Sequence, residues 1–284
     1  MKPIKTLKAL VGIFLIVGLL NEDVGALSQA KNFAGKYTWV NGRQMYFEQY
    51  GKGRPVVFLH GGAGSIDQSF SQQIPNFAKT HHIIAIEQIG HGHTPDANIP
   101  FAYRQMAEDT AALLRQLNIQ NADIVGWSDG GNLALLIARF HPDLVRRLVV
   151  SGANSRLVGL EPSEIKRISE SAPEELADRL GLSSKVAYAE MSPDGGDHWP
   201  QVAKKIWDLW LTPVVLTPED LAAIQAPTLV AAGDTDVIPI DHTVEIYQSL
   251  PHARLLVLPN TGHDTFNSAA TTFNPIILSF IDTP

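Results

Sequence analysis

The chain has 284 residues, of which 45% are hydrophobic and 18% are charged, enough for one globular domain with a sizeable core. Its 29 acidic residues outnumber its 22 basic residues, and the net charge of −7 argues against nucleic acid or an anionic membrane as a natural partner. The absence of cysteine excludes disulfides and thiolate zinc ligands.

The amino-terminal segment predicts an export signal. Lysines precede an uninterrupted apolar run over residues 9–20, and small residues follow up to Ala26. This pattern predicts a signal peptide over residues 1–26, cleaved after Ala26 or alternatively after Ala30, and hence a periplasmic or secreted protein. An uncleaved membrane anchor formed by residues 9–20 is the alternative, although a spanning helix needs about 20 residues.

Short buried or alternating runs predict eight strands. They cover residues 37–40, 45–49, 56–59, 83–87, 122–125, 148–150, 227–232 and 254–258. Asn41-Gly42 is a strong hairpin signal between the first two strands. Helical patterns separate several of the others, over residues 69–79, 103–117 and 132–140. Strands that alternate with helices predict an α/β fold with a mostly parallel eight-stranded sheet flanked by helices.

The alternation stops between residues 156 and 220. This stretch is rich in helix formers, tryptophan and proline, and its segments 161–171, 173–180 and 201–211 resemble helices. It starts after one core strand and ends before the next. We therefore expect a helical cap over residues 156–220, inserted into a core formed by residues 36–155 and 221–284.

The segment Gly126-Trp127-Ser128-Asp129-Gly130 lies between a strand-like run and a helix-like run. G-x-S-x-G in that setting is a nucleophile elbow, a tight turn that exposes the serine hydroxyl at a helix N-terminus. A serine at this position is also a good helix N-cap, which is the structural alternative for Ser128.

A serine nucleophile needs a general base and a carboxylate that orients the base. Asp236 and His263 follow Ser128 in the required order, each in a loop just after a buried strand. Ligands of open α/β sheets bind at that end of the strands. Asp234 competes with Asp236 for the acidic role, because aspartates also brace turns.

These motifs make the chain resemble the α/β-hydrolase fold family, specifically its esterase-like serine hydrolases with a small helical cap. The resemblance extends from about residue 36 to the C-terminus. It rests on the elbow and on four short segments, namely His60-Gly61-Gly62, Gly90-His91-Gly92, Gly233 to Asp236 and Gly262-His263. It implies that Ser128 is the nucleophile, Asp236 the acid and His263 the base.

The resemblance also implies an oxyanion hole formed by the backbone N–H groups of Gly62 and Asp129, with Ala63 as a substitute for Gly62. Two fixed donors are needed there, because losing one can cost about 3–4 kcal/mol of barrier stabilisation. The cap is expected to line the substrate pocket. The candidate pocket residues are Trp127, Met191, Trp199, Trp207 and Trp210. The tryptophans at 207 and 210 can instead hold the cap together.

Asp129 is unusual because its backbone is needed while its side chain is expected to be free. A carboxylate near the pocket would repel anionic substrates and favour a cationic group such as an α-amine. The alternative is an acidic residue that stabilises the helix dipole in the first turn.

No cofactor or metal is predicted. The chain has neither a phosphate-binding G-x-x-x-x-G-K-[ST] loop nor a G-x-G-x-x-G fingerprint. The histidines at 91 and 93 and at 81 and 82 lack the spacing of a zinc site.

We expect an exported serine hydrolase that acts on a small molecule, most specifically a carboxylesterase with an acyl-enzyme intermediate. The same triad can cleave lactones, aminoacyl esters, amides or carbon–carbon bonds, and the fold does not select among them. A non-catalytic binding or receptor protein on the same scaffold is the alternative from another class.

Overall fold

The computed structural model describes residues 35–158, 160, 162–212 and 216–283. The predicted signal peptide over residues 1–26, its cleavage sites and the candidate anchor over residues 9–20 lie outside the described residues. Within the described ranges, no helix combines the length and the apolar character needed to cross a membrane.

Eight strands form a single sheet in the described part of the chain. They are β1 (Lys36–Val40), β2 (Arg43–Tyr50), β3 (Arg54–Leu59), β4 (His81–Ile86), β5 (Ala122–Trp127), β6 (Val145–Ser151), β7 (Thr228–Gly233) and β8 (Ala253–Leu258). The order across the sheet is β1-β2-β4-β3-β5-β6-β7-β8. Only the pairs β1–β2 and β2–β4 are antiparallel. The predicted mostly parallel eight-stranded sheet is confirmed.

Helices cover both faces of this sheet. Those of the core are α1 (Ile66–Phe70), α2 (Ile74–Phe77), α3 (Tyr103–Gln116), α4 (Asp129–Phe140), α9 (Pro218–Ala222), α10 (Ile240–Ser249), α11 (Thr265–Ser268) and α12 (Ala270–Ile281). Those between β6 and α9 are α5 (Pro162–Glu170), α6 (Pro173–Arg179), α7 (Leu182–Met191) and α8 (Trp199–Leu211). We refer to α5–α8 as the cap helices.

Alternation along β3 shows why the sheet needs a cover on each side. Val57 and Leu59 belong to the apolar core on one face, whereas Val56 and Phe58 belong to the core on the other. All four side chains are fully buried. A strand that is apolar on both faces loses about 25 cal/mol of hydrophobic stabilisation for each Å² left exposed. The central strands are therefore stable only between two layers of helices.

Several helices differ from the sequence expectation, which did not assign α9 to α12. The single helix expected over residues 69–79 is wrong, because two short helices replace it, with Pro75 in the first turn of the second. Proline lacks an N–H and its ring clashes with the preceding turn, so one continuous helix is disfavoured there. The helix α7 was not identified, because its small and polar residues give it only a weak apolar stripe.

Candidate active site

The turn between β5 and α4 places Ser128 in a strained backbone conformation, with φ 53° and ψ −119°. Such a conformation costs about 1–3 kcal/mol in a non-glycine residue and tends to occur at functional sites. The flanking glycines make the turn possible. A Cβ on Gly126 would overlap the carbonyl of Gly130, and a Cβ on Gly130 would overlap the carbonyl of Leu59.

The hydroxyl of Ser128 contacts a histidine rather than capping its own helix. Ser128 occupies the N-cap position of α4, but its side chain makes no capping hydrogen bond. Its Oγ lies 2.8 Å from Nε2 of His263. The structure therefore separates the two interpretations of this serine, since the residue sits at the cap position while its hydroxyl is directed to the imidazole.

The other ring nitrogen of His263 faces a carboxylate. Nδ1 of His263 lies 2.7 Å from Oδ1 of Asp236, whose side chain is only 1% exposed. Since a carboxylate only accepts hydrogen bonds, Nδ1 carries the proton and Nε2 is free to accept one from Ser128. The N–H of Ile238 also donates to Oδ1 of Asp236 and fixes the carboxylate.

The competing acid, Asp234, has a different place. Its carboxylate accepts the backbone N–H groups of Asn260 and Thr261, and these bonds lower the pKa of Asp234. It thus braces the turn after β8. Of the two candidate aspartates, the structure brings Asp236 to the imidazole.

Two residues to which the sequence analysis gave no such role position the imidazole. Gly152 has φ +61°, and a Cβ there would lie 2.8 Å from Cε1 and 2.9 Å from Nδ1 of His263. Only glycine lets the chain after β6 pass this close to the ring. On the other side, the indole N–H of Trp127 donates to the carbonyl of His263 at 2.8 Å. A glycine after a core strand was the only sequence signal for the first contact.

Gly62 and Asp129 both line the cavity beside Ser128. Within the described ranges, neither backbone N–H donates to another protein group. Their loop is anchored by His60, whose Nδ1 lies 2.8 Å from the carbonyl of Gly61 and whose Nε2 accepts the N–H of Gln88. Burial lowers the pKa of His60 to about 3, so this ring stays neutral and holds the loop.

The side chain of Asp129 is not free, contrary to expectation. Its Oδ1 accepts a hydrogen bond from Tyr103 at 2.7 Å, and its Oδ2 accepts one from the indole of Trp210 at 2.8 Å. Tyr103 begins α3 of the core, whereas Trp210 lies in the last turn of α8 in the cap. Burial raises the pKa of Asp129, and the two hydrogen bonds oppose that shift.

A cavity of about 330 Å³ opens in front of Ser128. Of the expected pocket residues, Trp127, Trp207 and Trp210 line it. Trp207 and Trp210 also pack edge to face, with ring centroids 4.9 Å apart, so they contribute both to the cavity wall and to the cap. The expectation for Met191 and Trp199 is wrong. Both line a separate small cavity beside His91, and Trp199 is 1% exposed because it packs against Tyr188 inside the cap.

The cavity has further walls that the sequence analysis missed. Besides Tyr103, they are Asn154, Leu157, Val158, Leu160, Val237 and Ile238. These residues follow the strands β6 and β7 or begin α3, and none belongs to a motif. Only their position just after a core strand could have indicated them.

No metal centre is evident in the part of the chain that the structure describes, where no three His, Asp or Glu side chains converge as ligands would. The histidines at 60 and 91 are close, with ring centroids 5.2 Å apart. Each directs Nδ1 to a backbone carbonyl, of Gly61 and of Ile89 respectively.

Comparison with known proteins shows which family the chain resembles. The sequence model described as "alpha/beta hydrolase fold" matches residues 54–190. Serine hydrolase BPHL from Homo sapiens is 26% identical over 254 residues, which cover 85% of this chain and 84% of the relative. A non-heme haloperoxidase from Rhodococcus erythropolis is 28% identical over 271 residues, covering 85% of this chain and 97% of the relative.

Solved structures show the same fold. Bromoperoxidase from Bacillus anthracis superposes with a TM-score of 0.75 at 21% identity, covering 88% of this chain and 100% of its own. A meta-cleavage product hydrolase from Pseudomonas fluorescens gives 0.74 at 21% identity, covering 87% of this chain and 97% of its own. The chain has the α/β-hydrolase fold and is similar in sequence to hydrolases of that superfamily.

The contact between Gly152 and His263 predicts the effect of Gly152→Ala. The new Cβ would displace the imidazole, and alanine at positive φ costs about 1–2 kcal/mol. Hydrolase activity on a chromogenic substrate should fall by at least about 10-fold, because small misplacements of a reacting group are costly. Gly181→Ala is the matched control, since Gly181 has φ +87° and nothing within 4 Å of a new Cβ. Equal losses of activity in the two variants would contradict this role of Gly152.

Proposed function

We propose that this protein is a serine hydrolase that cleaves carboxylic esters through an acyl-enzyme. The observation that supports it is the unbroken chain of short contacts from Ser128 through His263 to Asp236, with Ser128 at the wall of a largely apolar cavity. A nucleophile within reach of its base, and a base within reach of its orienting acid, is the arrangement that acyl transfer needs.

In the first half-reaction, Oγ of Ser128 attacks the carbonyl carbon of the ester while Nε2 of His263 takes the hydroxyl proton. The carbonyl oxygen becomes an oxyanion that the N–H groups of Gly62 and Asp129 stabilise. Collapse of the tetrahedral intermediate breaks the bond to the alcohol, which leaves with the proton from His263. Asp236 stabilises the imidazolium formed in between.

In the second half-reaction, His263 takes a proton from a water molecule as the water attacks the acyl carbon. The same two N–H groups hold the second oxyanion. The bond to Oγ then breaks, Ser128 recovers its proton from His263, and the carboxylic acid leaves.

The cavity favours an apolar and uncharged acyl group. Its walls include leucine, valine, isoleucine and tryptophan side chains. The three indole N–H groups already donate to the protein, to the carbonyls of His263 and Leu176 and to Asp129. Few donors therefore remain for a polar acyl chain, and burying a polar group without a partner costs about 1–3 kcal/mol.

Carbon–carbon bond hydrolysis is the second candidate. The relatives include a 2-hydroxymuconate semialdehyde hydrolase from Pseudomonas putida, 26% identical over 275 residues. The same nucleophile and oxyanion donors can serve that reaction. A substrate panel that contains both p-nitrophenyl esters and 2-hydroxymuconate semialdehyde would separate the two activities.

Replacing the nucleophile tests the proposal directly. Ser128→Ala and His263→Ala should each lower kcat for a p-nitrophenyl ester by at least about 10³-fold, because triad members act as a unit. The melting temperature of Ser128→Ala should stay close to that of the wild type, since the hydroxyl makes no capping bond. Retained turnover would remove Ser128 from its role, and a folded wild type that resists a fluorophosphonate probe would favour a binding protein.

The charge of Asp129 and the apolar walls predict discrimination between acyl groups. A p-nitrophenyl ester whose acyl chain ends in a carboxylate should have a kcat/KM at least about 10-fold below that of the uncharged ester of equal length, because an unpaired buried charge is costly. Steady-state kinetics on the matched pair of esters provides the measurement. Equal rates would show that the acyl group does not enter this cavity.

We further propose that the protein is exported, on the basis of the charge and apolar pattern of its first 26 residues. Expression of the full chain in a bacterium should yield a periplasmic or secreted product. Its amino-terminal sequence should begin at Leu27 or Lys31. A product in the membrane fraction that still begins at Met1 would instead favour the anchor.

A further inference from the structure

We propose that Asp129 is a positioning residue that fixes the cap over the nucleophile and so determines which acyl groups fit. Its carboxylate joins three parts of the site, namely the elbow that carries it, the cap helix α8 and the loop that carries Gly62. The inference deepens the proposed function and rests on it, because the acyl pocket is defined by attack from Ser128.

The carboxylate links the cap to the core through two neutral donors. Trp210 reaches it from α8 at 2.8 Å, and Tyr103 reaches it from α3 at 2.7 Å. Asp129 itself is held by the backbone of α4, directly after Ser128. The indole of Trp210 also lines the cavity, so the bond that anchors the cap fixes one wall of the acyl pocket.

The loop of the expected oxyanion hole packs under the same pair of side chains. A Cβ on Gly62 would overlap Oδ2 of Asp129 and would lie 2.8 Å from Cζ2 of Trp210. The chain at position 62 thus lies so close to the carboxylate that only glycine fits there. A shift of the bonded pair would open space above Gly62 and loosen the position of its N–H.

A buried carboxylate at position 129 costs folding free energy, because its charged form is desolvated. Neither of its two hydrogen bonds in the described structure comes from a cation. Burial raises the pKa of Asp129, which means that the charged form is disfavoured in the folded state. A residue that only filled space would be more stable as an apolar side chain. An apolar residue, however, could not accept the hydrogen bond from the indole of Trp210.

The other half of α8 is anchored independently. Lys205 of α8 and His198 just before it contact the carboxylate of Asp96 at 2.7 Å and 2.9 Å. Asp96 belongs to the core loop after β4. Among the described residues, polar contacts therefore tie the helix to the core at two points, and of these two the one through Asp129 reaches the acyl pocket.

The decisive comparison is Asp129→Ala against Asp129→Asn. An asparagine can accept the indole N–H through Oδ1 and donate to Tyr103 through Nδ2, so it preserves the link while removing the charge. Alanine removes both. The readouts are KM and kcat for p-nitrophenyl acetate and hexanoate, together with hydrogen exchange of residues 199–211.

If Asp129 positions the cap, Asp129→Ala should raise the ratio of KM for the hexanoate to KM for the acetate by at least about 5-fold, because only the longer chain reaches the cap. Exchange in the last turns of α8 should become faster. Asp129→Asn should restore both readouts to within about 2-fold of the wild type.

If Asp129→Asn behaves like Asp129→Ala, the carboxylate acts through its charge and the positioning role is overturned. Trp210→Phe supplies a second test should Asp129→Ala fail to fold, since it removes the donor and should also speed exchange in α8. Tyr103→Phe keeps the link to the cap and should leave that exchange unchanged. Unchanged exchange in both Asp129→Ala and Trp210→Phe would also overturn the proposal.

Exchange does not depend on turnover. If Ser128→Ala retained turnover, the proposed esterase mechanism would fail. Exchange in α8 would still show whether Asp129 links the cap to the core.

Discussion

The site depends on the close approach of β3, β5 and α4 at the elbow. Gly126 and Gly130 contact backbone carbonyls where any side chain would overlap, and this packing holds Ser128 in a conformation that costs about 1–3 kcal/mol. The strain is maintained by a sheet whose central strands are buried on both faces. A fold with a softer core would relax the turn, and the hydroxyl would lose its alignment with His263.

The core elements and the elbow were predictable from the sequence, because they depend on local backbone preferences. Strands, helices and the elbow follow from apolar periodicity and from glycines at fixed spacing. Ser128, Asp236 and His263 each come just after a parallel strand, so their loops lie at one edge of the sheet. The walls of the cavity were not predictable in the same way. Trp199 and Trp210 are equally apolar and lie on the same helix, yet one faces the inside of the cap and the other faces Asp129. That difference depends on how α8 is rotated against the core.

The polar groups around Ser128, Asp236 and His263 are largely hydrogen-bonded within the protein. His60 is locked between Gly61 and Gln88, Asp234 braces its own turn, and the indole of Trp127 holds the backbone of His263. Groups that are already satisfied do not reorganise when charge develops on a substrate, and preorganisation of this kind is a large part of enzymatic rate enhancement. Asp129 differs from the other members of this set because its partner Trp210 lies in the cap.

Both variable positions of the elbow motif therefore make long-range contacts, Trp127 with the loop that carries His263 and Asp129 with α8. This limits how the scaffold can be rebuilt. A chimera that receives the cap of another hydrolase would also need an indole or an equivalent donor opposite residue 129. Without such a donor, the transplanted cap would leave a buried carboxylate oxygen without a hydrogen bond. The elbow and the cap would therefore have to be redesigned together.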